Sequence, residues 1–221
     1  SYGDFDRHGV FSESGQSIVP PFYKSITRVK GPNIFYAWND EGCFLYDCNG
    51  FIMSSVVCNA IVPLSFNYSI VTLDKKKYLY KNKEGIVSSG YDKITKMREG
   101  RVYVSNNNLC GLIDLNGHEI APCVYDDIFD FKHGYAIIAC RQVEDRYCYN
   151  YGIISASGKV IAECKYRRIQ LTNNPQIPFL CTYGGKITDA EINVYLDKDG
   201  CCVVHDEDGV TIHVPGYFAA S

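Results

Sequence analysis

Eleven cysteines, five histidines and several short aspartate clusters are the side chains of this 221-residue chain that could do chemistry. Cys110 stands eight residues before His118, and those two types can supply a thiolate nucleophile and its base. Asp126, Asp127 and Asp130 could bind a cation or share acid and base roles. Asp197-Lys198-Asp199-Gly200 and Asp206-Glu207-Asp208-Gly209 start like calcium loops, but neither is followed by the later Glu of an EF-hand. Asp-Gly is also a common hairpin turn. The chain has no Cys-x-x-Cys pair, and adjacent Cys201 and Cys202 would project to opposite faces of a strand, so zinc is not indicated. An odd cysteine count leaves at least one thiol unpaired, which leans toward a reducing, cytoplasmic compartment while a secreted or envelope location stays open.

The elements that would position these groups are strands. Ile, Val, Tyr and Phe number 21, 18, 18 and 11, against 10 Leu, 10 Ala and 2 Met. β-Branched and aromatic side chains fit a pleated, half-buried surface, and no Ala/Leu/Met stretch has the 3.6-residue period of a helix. Gly and Pro punctuate the chain at short intervals, giving segments of strand length. The 46% hydrophobic content is enough for a buried core. A net charge of -3 leaves no footprint for a nucleic-acid backbone or an anionic membrane surface. No apolar run approaches the ~20 residues that span a bilayer. Neither nucleic acid nor membrane insertion is expected.

The text repeats. Six turn glycines, Gly15, Gly50, Gly85, Gly117, Gly158 and Gly200, each follow a mostly polar tripeptide at intervals of 35, 35, 32, 41 and 42 residues. Tyr23, Tyr125 and Tyr166 lie eight residues after three of these glycines, and Ile26, Ile128 and Ile169 follow three places later. Tyr91 and Ile94 keep the pattern after a two-residue deletion, and Ile61 keeps it where Cys58 replaces the Tyr. Fifteen residues past that position come Trp38, Leu73, Cys140 and Cys181, in apolar runs that read as core. Each repeat predicts a strand into a Gly turn, a second strand, a Tyr-x-x-Ile corner and a third strand. Asn116-Gly117 predicts a type I′ hairpin, in which both central residues need positive φ.

Cys110-Gly111-Leu112-Ile113-Asp114, through Gly117 and Pro122, to Tyr125-Asp126-Asp127-Ile128, followed by Phe131 and Gly134, resembles the WG repeat family. Tyr151-Gly152 to Tyr166 and His8-Gly9 to Tyr23 are further copies. The naming Trp is absent throughout, replaced by His8, Cys43, Tyr78, Cys110, Tyr151 and Asn193, and the Gly survives at Gly9, Gly111 and Gly152. The resemblance implies a bacterial protein in a family whose molecular role is mostly unassigned. It also places a Lys where His118 stands and an Asp at the Tyr-Asp corner, so His118 reads as a solvated turn residue and Asp126 as a turn-capping carboxylate.

Short repeats cannot bury their own apolar faces, so neighbours must stack. The expected architecture is all-β: a single domain over 1–221, with about six three-stranded antiparallel repeats near 7–41, 42–76, 77–108, 109–149, 150–192 and a degenerate 193–221. It could close as a propeller-like ring or stay an open β-superhelix. Cys123 and Cys164 share a position with Pro21 and Val56, and Cys140 and Cys181 one with Trp38 and Leu73, so these cysteines read as small core hydrophobes. No cofactor is implied.

The fourth and fifth intervals are longer, and the extra length falls in 141–150 and 183–192. Insertions in repeat arrays gather on the binding face, and Tyr and Arg are common interface anchors. Arg141, Tyr147, Tyr149, Lys186 and Asp189 are therefore the candidate partner-binding residues. The favoured reading is a non-catalytic scaffold for protein–protein interaction. The alternative is a ligand- or glycan-binding, even hydrolytic, propeller-like domain with Trp38, Tyr36 or Tyr183 as stacking rings. Convergent carboxylates or a nucleophile pair would support the second, and the repeat-aligned polar positions show neither.

Overall fold

The structure is a computed structural model and describes residues 6–29, 34–56, 58–65, 67–142, 148–183, 192–205 and 211–214. Among these residues every regular element is a strand, in six sheets whose order follows the sequence. β1 (His8–Phe11) pairs with β2 (Ser17–Tyr23). The next sheet is β3 (Ser25–Val29), β4 (Ile34–Asn39), β5 (Gly42–Tyr46) and β6 (Ile52–Val56). Another holds β7 (Ala60–Pro63), β8 (Tyr68–Leu73), β9 (Lys76–Lys81) and β10 (Gly85–Ile86). Then come β11 (Lys93–Arg98), β12 (Arg101–Asn106), β13 (Leu109–Asp114) and β14 (Glu119–Tyr125). A further sheet takes β15 (Asp127–Ile128), β16 (Tyr135–Arg141), β17 (Tyr149–Ser155) and β18 (Val160–Tyr166). The last has five strands: β19 (Arg168–Leu171), β20 (Phe179–Tyr183), β21 (Ile192–Leu196), β22 (Cys202–His205) and β23 (Thr211–Val214).

The described residues divide into two compact units, one up to Asn108 with Leu112–Glu119, the other Leu109–Gly111 with everything from Ile120. In the first, one core cluster joins Val19, Tyr23, Phe35, Ala37 and Tyr46, and another joins Ile34, Cys43, Leu45, Ile61, Val71 and Tyr80. In the second, Ile153, Tyr166, Ile169, Phe179, Cys181 and Leu196 are packed together.

The all-β class holds, and the repeat acquires a fourth strand. The Ile of Tyr-x-x-Ile does not end a corner; it sits in a strand of its own, as Ile128 does opposite Ile138. Sheets therefore change at Tyr23, Tyr125 and Tyr166, whose strands close one sheet while the Ile opens the next; Tyr91 makes an isolated bridge to Lys77 instead. That strand is only two residues long in Asp127–Ile128, too short for a period of two to show in sequence. Ile61, Ile94, Ile128 and Ile169 are all buried, as are Tyr23, Tyr91, Tyr125 and Tyr166. Of the four positions fifteen residues further on, Cys181 alone is buried, while Trp38, Leu73 and Cys140 are half-buried.

The predicted type I′ turn at Asn116-Gly117 is corrected. Gly117 has φ +84, but Asn116 is not in the left-handed region. The Gly117 N–H donates to the Asp114 carbonyl at 3.1 Å and the Asp114 N–H to the His118 carbonyl at 2.8 Å, a type I turn closed by a left-handed glycine. The cause is the Asp114 side chain, whose Oδ1 accepts from the N–H groups of Asn116 and His118 at 2.8 Å each. Asp47 and Asp197 do the same at Gly50 and Gly200, and Ser12 and Ser155 accept one such bond each. Two-residue turns with both φ values positive occur instead at Asp74-Lys75 and Asn107-Asn108. Their leading N–H groups are capped by Asn59 Oδ1 at 3.1 Å and Asp92 Oδ2 at 2.7 Å.

Cys140 and Cys164 are not simply small core hydrophobes: they form a disulfide, with Cα atoms 6.0 Å apart. The bond exists because β18 bulges. Pairing jumps from Tyr151↔Tyr166 to Ile153↔Ala162, leaving residues 163–165 out of the ladder. They fold over Gly152, where a Cβ would lie 2.6 Å from the Ala162 carbonyl oxygen and 2.9 Å from the Cys164 nitrogen. The bulge carries Cys164 across β17 to Cys140 on β16. The sequence separation of 24 residues implies about 3 kcal/mol of stabilisation through the unfolded chain, or a midpoint change of roughly 5–10 °C. Calorimetry with and without a dithiol reductant should show that fall, and the Cys140→Ala/Cys164→Ala variant should not respond to reductant. A wild-type midpoint indifferent to reductant would contradict the bond's role.

Candidate functional site

The β16–β17 hairpin builds the site. Antiparallel pairing sets Arg141 opposite Tyr149, Ala139 opposite Tyr151 and Ile137 opposite Ile153. Cross-strand partners share a sheet face, and alternate residues along a strand do too. Arg141, Ile137, Tyr149 and Tyr151 therefore lie on one face. Phe129 joins it, donating its N–H to the Ile137 carbonyl at 3.0 Å.

Arg141 is exposed and fixed at several points. Its Nη2 donates to the Tyr149 hydroxyl at 3.2 Å, and its guanidinium carbon lies 5.6 Å from the Tyr149 ring centroid. Its backbone N–H donates to Asp126 Oδ2 at 2.7 Å, and Nε is 3.4 Å from Asp126 Oδ1. The hydrogen bond to Tyr149, with Asp126 nearby, raises the Arg141 pKa further, so the cation is permanent. Gln142 Nε2 donates to Asn150 Oδ1 at 2.8 Å and holds the hairpin beyond Arg141. Of the five residues singled out in sequence, Arg141 and Tyr149 are thus in contact, while Tyr147, Lys186 and Asp189 lie outside the described residues. The two long insertions do occupy the same connection in their sheets, since Arg141 pairs with Tyr149 across one and Tyr183 with Ile192 across the other.

Beside this face is a groove of about 270 Å³ lined by Phe129, Ile137, Tyr151, Arg167, Arg168 and Ile169. Phe129 is 44% exposed, and its ring centroid is 6.4 Å from that of Tyr151. Ile169 is buried and forms the floor, while Arg167 and Arg168 are exposed. With the Gln170 amide oxygen turned toward it, the Arg168 guanidinium donates from Nε at 3.3 Å and Nη2 at 2.8 Å. The repeat carries a faint signal for the groove. Phe129 stands where Thr27 and Thr95 follow the Ile, and Arg167 where Asp92 and Asp126 follow the Tyr. What joins Phe129 to Arg167 is sheet pairing, which the spacing does not contain.

The other chemical candidates have structural occupations. His118 is exposed, with Nδ1 3.1 Å from Asp114 Oδ2, and the Cys110 thiol donates to the Asp126 carbonyl at 3.6 Å. Hydrogen bonds from His118 and Asn116 hold the Asp114 carboxyl below its usual range, although burial opposes them as the largest single influence. Asp126 caps Arg141 as described, and Asp127 Oδ1 accepts the Ile128 N–H at 2.8 Å. Asp197 caps its own turn; the segment 206–209 lies outside the described residues. Burial pushes the Cys58 and Cys181 thiols up to about 12, which leaves them protonated and poor nucleophiles at neutral pH. Among the described residues no group of three His, Cys, Asp or Glu side chains could hold a metal ion. The Trp38 ring lies beneath Lys24 Nζ at 5.4 Å, Tyr36 hydrogen-bonds Cys43 Sγ at 3.6 Å, and Tyr183 packs 4.7 Å from the Tyr166 ring.

The segment containing the Asp114 turn, the Ile128 strand and most of β16 also matches a known pattern: residues 111–140 match the family model of the WG containing repeat. That stretch is similar to one WG repeat. The match begins at Gly111, just after Cys110, which holds the place of the missing Trp. The WG-repeat glycine has a steric basis here. At Gly9, Gly111 and Gly152 a Cβ would lie within 2.9 Å of the carbonyl oxygen of Val19, Ala121 or Ala162. Where Phe44 replaces it, β5 and β6 pair in register through Phe44↔Ser55.

No curated protein matches the chain. Among solved structures it is similar to a crystal structure of the eukaryotic initiation factor, at 11% identity and TM-score 0.42, covering 90% of this chain and 60% of that one. Hsv2p of Kluyveromyces lactis is similar at 9% identity and TM-score 0.33, with 86% and 62% covered. Puromycin hydrolase is similar at 10% identity and TM-score 0.31, with 96% and 50% covered. The chain thus spans less than two thirds of the length of each.

Proposed function

We propose that this WG-repeat chain is a non-catalytic scaffold that binds another protein through the accessible part of the β15–β18 sheet, around Phe129 and the Arg141–Tyr149 pair. The observation that carries the reading is the conjunction on one sheet of an exposed Phe129, the fixed Arg141–Tyr149 pair and the groove that Phe129 and Tyr151 share with Arg167 and Arg168. Aromatic side chains bury large areas with few torsions to freeze, and Arg adds a planar fork of five donors, which is why both dominate interface energetics. Arg141 is already ordered by Tyr149 and Asp126, so little side-chain entropy remains to be lost on binding.

Binding and stability should separate. Arg141→Ala/Tyr149→Ala removes an exposed and a half-buried side chain and keeps the Arg141 N–H that Asp126 caps, so unfolding in urea should shift by about 1 kcal/mol at most. A photoreactive benzoylphenylalanine at position 149 should give a covalent adduct of defined mass in cells that make the protein, and Arg141→Ala should reduce its yield at least tenfold. An adduct yield unaffected by Arg141→Ala, or a double variant destabilised by several kcal/mol, would overturn the assignment.

A further inference from the structure

The groove lined by Phe129, Tyr151, Arg167 and Arg168 has a size and a charge pattern that define what it can accept. At about 270 Å³ it lies just below the range of pockets that enclose drug-sized ligands, and it suits one large side chain. Its walls are apolar: the Phe129 and Tyr151 rings on one side, Ile137 and buried Ile169 beneath. Its cationic edge is formed by the exposed Arg167 and Arg168. Of the nearby carboxylates, Asp126 is engaged by the Arg141 N–H and Nε, and Asp127 accepts the Ile128 N–H. In a chain whose overall charge is -3, two adjacent guanidinium groups thus border an aromatic slot.

We propose that this groove binds an acidic segment of a partner protein, with one aromatic or large aliphatic side chain inserted between Phe129 and Ile169 and flanking carboxylates paired with Arg167 and Arg168. Guanidinium groups pair with carboxylates through two parallel hydrogen bonds, and a neighbouring apolar wall excludes water from those pairs. The rings supply the area and the arginines the selection against basic segments. The inference rests on the protein-binding reading of the same face.

The test uses three fluorescein-labelled peptides and the full chain: Gly-Asp-Glu-Phe-Glu-Asp-Gly, its Phe-to-Ala form, and a form with Lys in place of each acid. Fluorescence anisotropy at low salt should show saturable binding of the first peptide, at least tenfold weaker binding of the second and none of the third. Arg167→Ala/Arg168→Ala should weaken the first at least tenfold, with an unchanged thermal midpoint showing that the fold survives. Phe129→Ala is the second, independent variant and should weaken the Phe peptide while leaving the Ala peptide unaffected. Equal binding of all three peptides, no saturation of the first up to millimolar concentration, or indifference to both variants overturns the proposal. If the peptides fail while the position 149 adduct still depends on Arg141, the groove assignment alone falls. If that adduct fails as well, the protein-binding reading falls with it.

Discussion

Ile128→Asp should abolish cooperative folding of the unit that contains it. Ile128 is 3% exposed, lies opposite Ile138 in the β15–β16 ladder, and opens a sheet at the point where the preceding one has closed. A carboxylate there would lose its hydration without gaining a cation. The cost of an uncompensated buried charge is about 3–5 kcal/mol, comparable with the whole stability of many domains. A neutral carboxylic acid would still leave unpaired polar atoms and the cavity of the missing methyl groups. Ile94→Asp and Ile169→Asp remove equivalent buried side chains and should act in the same direction. Urea unfolding followed by circular dichroism checks this. A variant that melts cooperatively at the wild-type midpoint would show that the repeated Ile is not the core position described.

Gly158→Ala should destabilise far more than Gly15→Ala, although the two residues have nearly the same backbone. Their φ values are +83 and +81, so the left-handed penalty of about 1–2 kcal/mol is common to both. They differ in what lies beyond the missing side chain. A Cβ at Gly15 meets nothing within 4 Å, whereas one at Gly158 would lie 1.8 Å from the Ile120 carbonyl oxygen. Gly117 stands in the same relation to Val87 at 1.8 Å, and Gly200 to Ile161 at 2.0 Å. Each of these turns rests on the segment that follows the turn glycine of the preceding repeat. A backbone oxygen cannot rotate aside, so Gly158→Ala must displace one repeat from the next and should cost several kcal/mol beyond the Gly15→Ala effect. Equal destabilisation of the two variants would mean that φ alone governs these glycines.

The two comparisons mark where sequence was informative. Residue types that recur because they are buried, Tyr125 and Ile128 and their equivalents, were legible from spacing, since core positions tolerate few alternatives. The six turns were legible as turns. Their type was not, because it depends on whether a side chain such as Asp114 is placed to take two backbone N–H groups, and Asn116-Gly117 has the same composition either way. The Cys140–Cys164 bond was hidden for a related reason. It needs the bulge over Gly152, and nothing in the cysteine spacing announces a bulge. Arg141 and Tyr149 were legible as the ends of an insertion, while Phe129, Tyr151 and Arg168 were not, because a groove is a property of paired strands and not of any one segment.

Hydrogen–deuterium exchange on the chain alone and on its covalent adduct at position 149 tests the central claim most directly. The account predicts that binding slows exchange in 127–141, 149–155 and 167–171, the strands that carry Phe129, Arg141, Tyr151 and Arg168, with the rest of the ladder unchanged and the partner recovered chemically unaltered apart from the cross-link. Protection confined to residues before Asn108, or a partner cleaved or otherwise converted by the chain, would contradict it.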